Sequence, residues 1–299
     1  MGPSELKAGL ALQVARSSNQ TLSQNREGPS VFLDWLNQSD AGEIGISSGY
    51  AEIATRDAGI DAAGLIPTDS TRASRVLSGR WSKALSERST FSADGSYEGV
   101  SYKGGTFVDY ATRSAGLRFI HALSERSTPY MSVSGSKYVP AGGGPSSQIA
   151  IATLGVNWKV EYMDLTTQLG KYKDGDGNTG LLGAFAVQHT SPRTQLALNA
   201  DRQVLSSGLG GFVKTDMVRG SWSYALSEYS DTGIDLEWRK DRSITNNTRT
   251  TTGVWIQRNL NPSWVGRMNY LHNNVKVSGA DNASSNILGL SLVYTYSDF

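Results

Sequence analysis

The chain has 299 residues, a formal net charge of +1, no Cys, 33 Gly, 13 Tyr and 7 Trp. Lack of Cys excludes disulfides, thiolate metal sites and Cys nucleophiles, and a near-zero charge without a basic stripe argues against a nucleic-acid partner. Mean hydropathy is below zero and no stretch approaches the roughly 20 apolar residues of a membrane helix. Strands remain open, because a barrel strand crosses a bilayer in about 9–11 tilted residues and half of them face inward.

Met1-Gly2-Pro3-Ser4 run into the first strand without a secretory signal. Residues 1–4 read as linker or vector-derived, and 5–299 as a single outer-membrane β-barrel domain. A barrel crosses the inner membrane unfolded, so a leader is expected outside this sequence, with an upstream periplasmic domain left open.

Period-two alternation predicts sixteen strands, with fourteen as the runner-up: 5–18, 29–38, 43–55, 72–85, 89–102, 107–123, 128–139, 149–159, 161–172, 180–190, 193–205, 214–226, 231–242, 250–259, 263–277 and 286–297. The region 29–71 is the least regular. In the first strand Leu6, Ala8, Leu10, Leu12 and Val14 share a face. In the fifth, Phe91, Ala93, Gly95 and Tyr97 oppose Thr90, Ser92, Asp94, Ser96 and Glu98. In the thirteenth, Ile234, Leu236 and Trp238 oppose Asp235, Glu237 and Arg239. The last strand alternates through Leu288, Leu290, Leu292, Tyr294 and Tyr296 and the chain ends at Phe299, the way many bacterial outer-membrane barrels close.

Two kinds of break separate these strands. Short polar turns recur: Ala84-Leu85-Ser86-Glu87-Arg88-Ser89-Thr90 returns as Ala122–Thr128 and, loosely, as Ala225–Thr232. Others fall at Asn37–Glu43, Lys159–Glu161, Thr190–Arg193 and Asn259–Ser263. Their spacing of roughly 30–46 residues suits a two-strand hairpin unit. Longer breaks rich in Gly, Asn, Asp and Ser lie between them, at 24–29, 56–71, 103–106, 140–148, 173–179, 206–214, 243–249 and 278–285. Short turns on one side and long loops on the other match outer-membrane asymmetry, with both termini on the periplasmic side of an even-stranded barrel. Trp35, Trp81, Trp158, Trp222 and Trp264 lie near the short turns, where an aromatic girdle belongs. A soluble sandwich of this many strands would leave long edges to protect, whereas closure satisfies every backbone amide. The expected surroundings are therefore outer-membrane lipid and lipopolysaccharide.

The polar faces supply candidate pore-lining residues: Arg80, Asp94, Glu98, Arg118, Asp164, Gln168, Asn199, Asp201, Arg219, Asp235, Glu237, Arg239, Arg267 and Asn269. Both signs are present, so no strong charge selectivity is expected. The competing reading is that these charges pair across neighbouring strands and stiffen the wall. Trp238 and Trp255 offer sugar-stacking platforms if they face inward, but Ile234 and Leu236 place Trp238 in the lipid-facing set. Asp174-Gly175-Asp176-Gly177-Asn178-Thr179-Gly180 looks like the start of a calcium loop, yet Thr179 and Phe185 stand where Gly and a bidentate Glu are needed, so it reads as a solvated hairpin. His121, His189 and His272 sit on different strands and read as surface or interfacial residues. No Gly-x-Ser-x-Gly or His-Glu-x-x-His is present, and neither an enzyme nor a cofactor is expected.

Arg80-Trp81-Ser82-Lys83-Ala84-Leu85-Ser86-Glu87-Arg88-Ser89, followed by Ser96-Tyr97, resembles the repeats of the β-barrel porins of Gram-negative exopolysaccharide and biofilm systems (the EpsL and VpsM type). Ser221–Glu228 and Asn259-Leu260-Asn261-Pro262-Ser263-Trp264 look like the same device. The resemblance covers most of the chain in style and carries over no individual site residue. It implies an outer-membrane conduit for a secreted polysaccharide, working with a synthase and periplasmic export proteins. The barrel is also similar in size to the C-terminal pores of cellulose and poly-N-acetylglucosamine exporters. Two other expectations stand beside it, a diffusion or solute-uptake porin and a non-conducting barrel that anchors a partner. In either pore, the segment 56–71, with Ala62-Ala63-Gly64-Leu65-Ile66-Pro67, is expected to cap or narrow the passage.

Overall fold

Alternating sequence becomes strand after strand in the computed structural model, which describes residues 4–15, 26–40, 42–54, 70–104, 107–242, 247–276 and 282–294. Sixteen strands follow one another: β1 (Ser4–Ala15), β2 (Arg26–Ser39), β3 (Gly42–Ala54), β4 (Thr71–Ser86), β5 (Ser89–Lys103), β6 (Tyr110–His121), β7 (Ser127–Pro140), β8 (Ser147–Val160), β9 (Met163–Asp174), β10 (Thr179–Thr190), β11 (Thr194–Ser207), β12 (Gly211–Ser227), β13 (Ser230–Arg242), β14 (Thr248–Asn261), β15 (Trp264–Lys276) and β16 (Ala283–Tyr294). They form one sheet in sequential order. Among the described residues there is no helix. Tyr296, Phe299 and the segment 56–69 lie outside the described residues.

The chain divides into two compact units, one of Met1–Gly155, Leu169–Leu182 and Val204–Val213, the other of Val156–Gln168, Gly183–Gln203 and Lys214–Phe299. In the first, antiparallel register fixes two faces. Phe91 meets Phe119, Ala93 meets Leu117, and these meet Met131 and Val133 in turn. One residue along, Asp94 meets Arg80 and Gly116. A one-residue slip would exchange the two sets, so the pattern itself holds the register. The apolar set is solvent-exposed in the isolated chain, with Leu10 at 86% and Leu154 at 67%. In the second unit Val218, Trp238 and Thr250 share a row, as do Trp222, Ile234 and Val254, while Arg219, Glu237 and Thr251 form a row on the opposite face. A soluble protein would hide the apolar rows in a core. Here they are the outside, which is what a hydrocarbon surrounding requires.

The repeated turn has a local cause. The Ser86, Ser124 and Ser227 hydroxyls accept hydrogen bonds from the backbone N–H of Arg88, Arg126 and Tyr229 at 3.3, 3.3 and 3.2 Å. Asn261 does the same for Ser263 at 2.9 Å. Such side-chain caps replace a backbone acceptor and set a tight reversal. Register shifts just before the turn at Ala84/Ser86, Ala225/Ser227 and Asn259/Asn261 leave Leu85, Leu226 and Leu260 as bulge residues. Trp81, Trp158, Trp222 and Trp264 are exposed beside their own turns.

One hairpin departs from the expected loop. Instead of a break over 206–214, β11 runs to Ser207 and β12 restarts at Gly211. Gly210 and Gly211 take φ of 97° and 113°, a region L side chains avoid, and this allows the tight tip. The tip belongs to the first unit. Its Gly208 carbonyl accepts the backbone N–H of Val108 at 2.9 Å, and Phe212 packs edge-on against Tyr138 at 6.1 Å.

Candidate functional site

The polar face of the first unit carries Arg80, Asp94, Glu98 and Arg118, all on one side by register. Arg80 pairs with Glu43 at 3.3 Å rather than with Asp94, its opposite neighbour on β5. Glu98 is held by Arg72 at 2.6 Å. Arg118 lies 3.9 Å from the centre of the Tyr130 ring, a cation–π contact. Asp94 is exposed and folds over Gly116, where a Cβ would stand 2.9 Å from its carboxylate.

Toward the loop ends this face is filled by side chains. Val100, Tyr110 and Tyr138 are buried, with Tyr102 and Phe212 packed on them. Tyr110 and Tyr138 stack at 4.8 Å. Beside them Ile149, Tyr172 and Leu182 are buried with Ile151, Val204 and Phe212. Phe212 belongs to both groups, so the hairpin tip is bonded into an aromatic tier on the polar face of β5–β7.

In the second unit, Asn199 and Asp201 lie opposite Ala186 and Ala184 on β10, away from exposed Leu196 and Leu198. Asp164 and Gln168 share the parity of Thr166, whose hydroxyl donates to Asn157 at 3.0 Å. Arg219 and Glu237 pair at 2.9 Å. Arg239, only 1% exposed, pairs with Asp241 at 2.8 Å, and the Thr215 hydroxyl donates to the same carboxylate at 2.9 Å. Arg249 stands opposite Arg239 and reaches Asn273 at 3.3 Å. Asp235 is exposed between Ser221 and Gly253.

The two tryptophans part company. Trp238 shares its face with Val218 and Leu236, on the apolar side. Trp255 shares a row with Gly233 and Asn269, on the polar side. Its indole lies over Gly233, where a Cβ would meet it at 2.5 Å, and Arg267 sits 4.4 Å from its ring centre. Gly233 thus lets a large ring lie along the wall instead of projecting from it.

Each sequence-chosen charge lies on a polar face, but most of the arginines are engaged by carboxylates or rings. Cross-strand pairing therefore accounts for Arg80, Glu98, Arg219 and Glu237, and pairing along β13 for Arg239. Arg72, Tyr102, Tyr110, Thr215, Asp241 and Arg249 were not singled out from the sequence. Their parity within β4, β5, β6, β12, β13 and β14 was the available signal. His121, His189 and His272 lie on the apolar face, opposite Ser89, Leu196 and Thr252. In the Asp174 loop, that carboxylate accepts the backbone N–H of Asp176 at 3.1 Å and of Asn178 at 2.8 Å, holding its own turn. Among the described residues no group of three His, Asp or Glu is placed to hold a metal.

A sequential antiparallel sheet with an exposed apolar face and a charged opposite face defines the up-and-down β-barrel of outer-membrane type. Solved structures of that fold resemble it. The FrpB iron transporter from Neisseria meningitidis (F5-1 variant, apoprotein form) superposes with a TM-score of 0.57 at 9% identity, over 85% of this chain and 52% of that one. The ferric citrate transporter FecA in its unliganded form gives 0.53 at 11% identity, over 91% and 55%. The chain thus spans about half the length of these transporters. No protein-family model and no curated protein sequence matches it.

Proposed function

We propose that this protein is an outer-membrane channel whose polar face lines an aqueous conduit, with the short turns and both termini on the periplasmic side, and that the conduit exports a secreted polysaccharide. The carrying observation is the register, which puts Arg80, Asp94, Glu98, Arg118, Asn199, Asp201, Arg219, Asp235, Glu237, Arg239, Arg267 and Asn269 on the polar side and exposed Leu, Val, Ile and Trp on the other. Asp164 and Gln168 join that set by parity along β9. Hydrated walls of mixed sign suit a polar, weakly held passenger. Trp255 supports a glycan in particular. A flat indole beside Asn269 and close to Asp235 offers the CH-packing and hydroxyl-binding partners a sugar ring uses. A synthase and periplasmic export proteins would deliver the polymer.

Uptake of a small polar solute is the second reading, favoured by the fold shared with iron transporters. Planar-bilayer recording separates the two. Stepwise conductance that is blocked by long neutral or acidic glycans, and not by small sugars, supports export. Block by small solutes alone supports uptake. Absence of any conductance overturns both and leaves a barrel that anchors a partner.

A further inference from the structure

On the apolar face of β6 and β7, the register rows run Phe119–Met131, Leu117–Val133, Ala115–Gly135 and Arg113–Lys137. The column is apolar except at one row, Arg113–Lys137, where two cations stand directly opposite each other, with Ala111–Val139 beyond it. Like charges in that position repel and destabilise a strand pair. Among the described residues no carboxylate pairs with either. Arg113 and Lys137 are exposed. A depression beside them is lined by Ala115, Gly135, Ala150 and a third cation, Lys173. Asp174 borders it too and accepts N–H groups of Asp176 and Asn178 within its own turn, so three cations face one carboxylate there. Directly down the same face, a second depression is apolar, walled by Leu117, Met131, Val133, Leu154, Leu169 and Leu181, with Lys171 on its border. Cations on the apolar face of the second unit differ: Arg202 and Arg242 there share Asp216 at 2.5 and 2.7 Å and are neutralised in part.

We infer that Arg113, Lys137 and Lys173 form a binding site for the phosphate of a phosphorylated glycolipid of the outer leaflet, lipid A in chemical class, whose acyl chains lie in the apolar depression below. Small residues at Ala115, Gly135 and Ala150 leave room for the sugar-phosphate between the cations and the chains. Two phosphate charges would turn the repulsive Arg113–Lys137 row into a shared anion clamp, and Arg offers the paired donors that phosphate oxygens accept. The assignment of this end to the outer leaflet rests on the orientation given under Proposed function. The site itself is on the opposite face from the conduit, so its occupancy and conduction are measured separately.

The test uses the whole chain in detergent, titrated with bis-phosphorylated lipid A, monophosphoryl lipid A or phosphatidylglycerol, and read by native mass spectrometry. Expected is one retained lipid A per chain, with apparent affinity at least ten-fold lower in the Arg113→Gln/Lys137→Gln double variant and several-fold lower in Lys173→Gln. Lys83→Gln, beside a short turn, is the control and keeps full retention. Heat-modified electrophoretic mobility confirms that each variant is folded, and single-channel conductance should not change. Equal retention by the double variant and the unaltered chain overturns the site. So does phosphatidylglycerol binding as tightly as lipid A, which would mark a generic anionic patch or the other leaflet. Loss of conductance reading with intact, phosphate-dependent lipid A retention would overturn the channel and leave this site standing.

Discussion

The Tyr102 hydroxyl lies so close to Gly208 that a Cβ there would stand 2.6 Å from it. Tyr102 follows Glu98 on the polar face of β5, and Gly208 opens the tip of the β11–β12 hairpin, so this contact seats the tip on a polar wall. The segment 56–71, expected from the sequence to cap or narrow the passage, lies mostly outside the described residues. Among the described residues, the hairpin tip packs on the polar face of β5–β7 through Phe212.

Gly208→Val should therefore unseat the tip from Tyr102. Phe212 would lose its contact with Tyr138, and the passage beside β5–β7 should widen. Expected in planar bilayers is a larger or more frequently fluctuating single-channel conductance, with Tyr102→Ala giving the same direction. Unchanged traces from both variants would show that the tip does not narrow the conduit.

Leu117 and Ser134 test which face meets lipid. Leu117 lies opposite Ala93 and Val133 on the apolar side, and Ser134 lies opposite Gly116 on the polar side. Leu117→Arg should cost about 2–4 kcal/mol in bilayer refolding, the range for a cation on a lipid-facing strand. Ser134→Arg should cost under about 1 kcal/mol, because it stays hydrated. Urea titration of the protein in liposomes checks both, and equal costs would remove the two-faced reading.

Asp241 accepts from both Arg239 and Thr215, and its side chain and that of Arg239 are each 2% exposed. Removing one partner of such a buried pair typically costs roughly 3–5 kcal/mol. Asp241→Asn is expected to lose about that much stability in the same titration. Glu237→Gln, facing the half-exposed Arg219, should lose about 1 kcal/mol or less. A smaller loss for Asp241 than for Glu237 would contradict the burial.

Trp238 and Trp255 divide between lipid and water. In single-tryptophan variants with the other six replaced, Trp238 fluorescence should be quenched by brominated lipid and Trp255 by aqueous iodide. Trp255→Ala should also weaken glycan block of the channel several-fold, whereas Trp238→Ala should not. Iodide quenching of Trp238 would place that residue on the wrong face.

Much of this was written in period-two alternation. Leu288, Leu290, Leu292 and Tyr294 sharing a face, or Ile234 and Leu236 alternating with Asp235 and Glu237, fix strand, face and register locally, since a one-residue slip would put charge into lipid. Turn chemistry was equally local: a Ser or Asn two residues before the amide it caps recurs at each repeated turn. Strand ends were therefore legible to within a few residues almost everywhere.

What no single strand contained was the meeting of distant segments. Tyr102, Tyr110, Tyr138 and Phe212 lie on four strands, and Phe212 comes from a hairpin far along the chain. Alternation says which way each points but not that they stack. Likewise Trp255 and Trp238 look alike in sequence, and only the rows through Gly233 and Val218 separate them. Arg113 and Lys137 become an opposed pair only when β6 and β7 align. Local sterics and solvation set period and turns, so the sequence alone determined the sheet and its two faces. Which side chains share one row or one tier depends on pairing register and on where a hairpin folds, and the tertiary structure decided that.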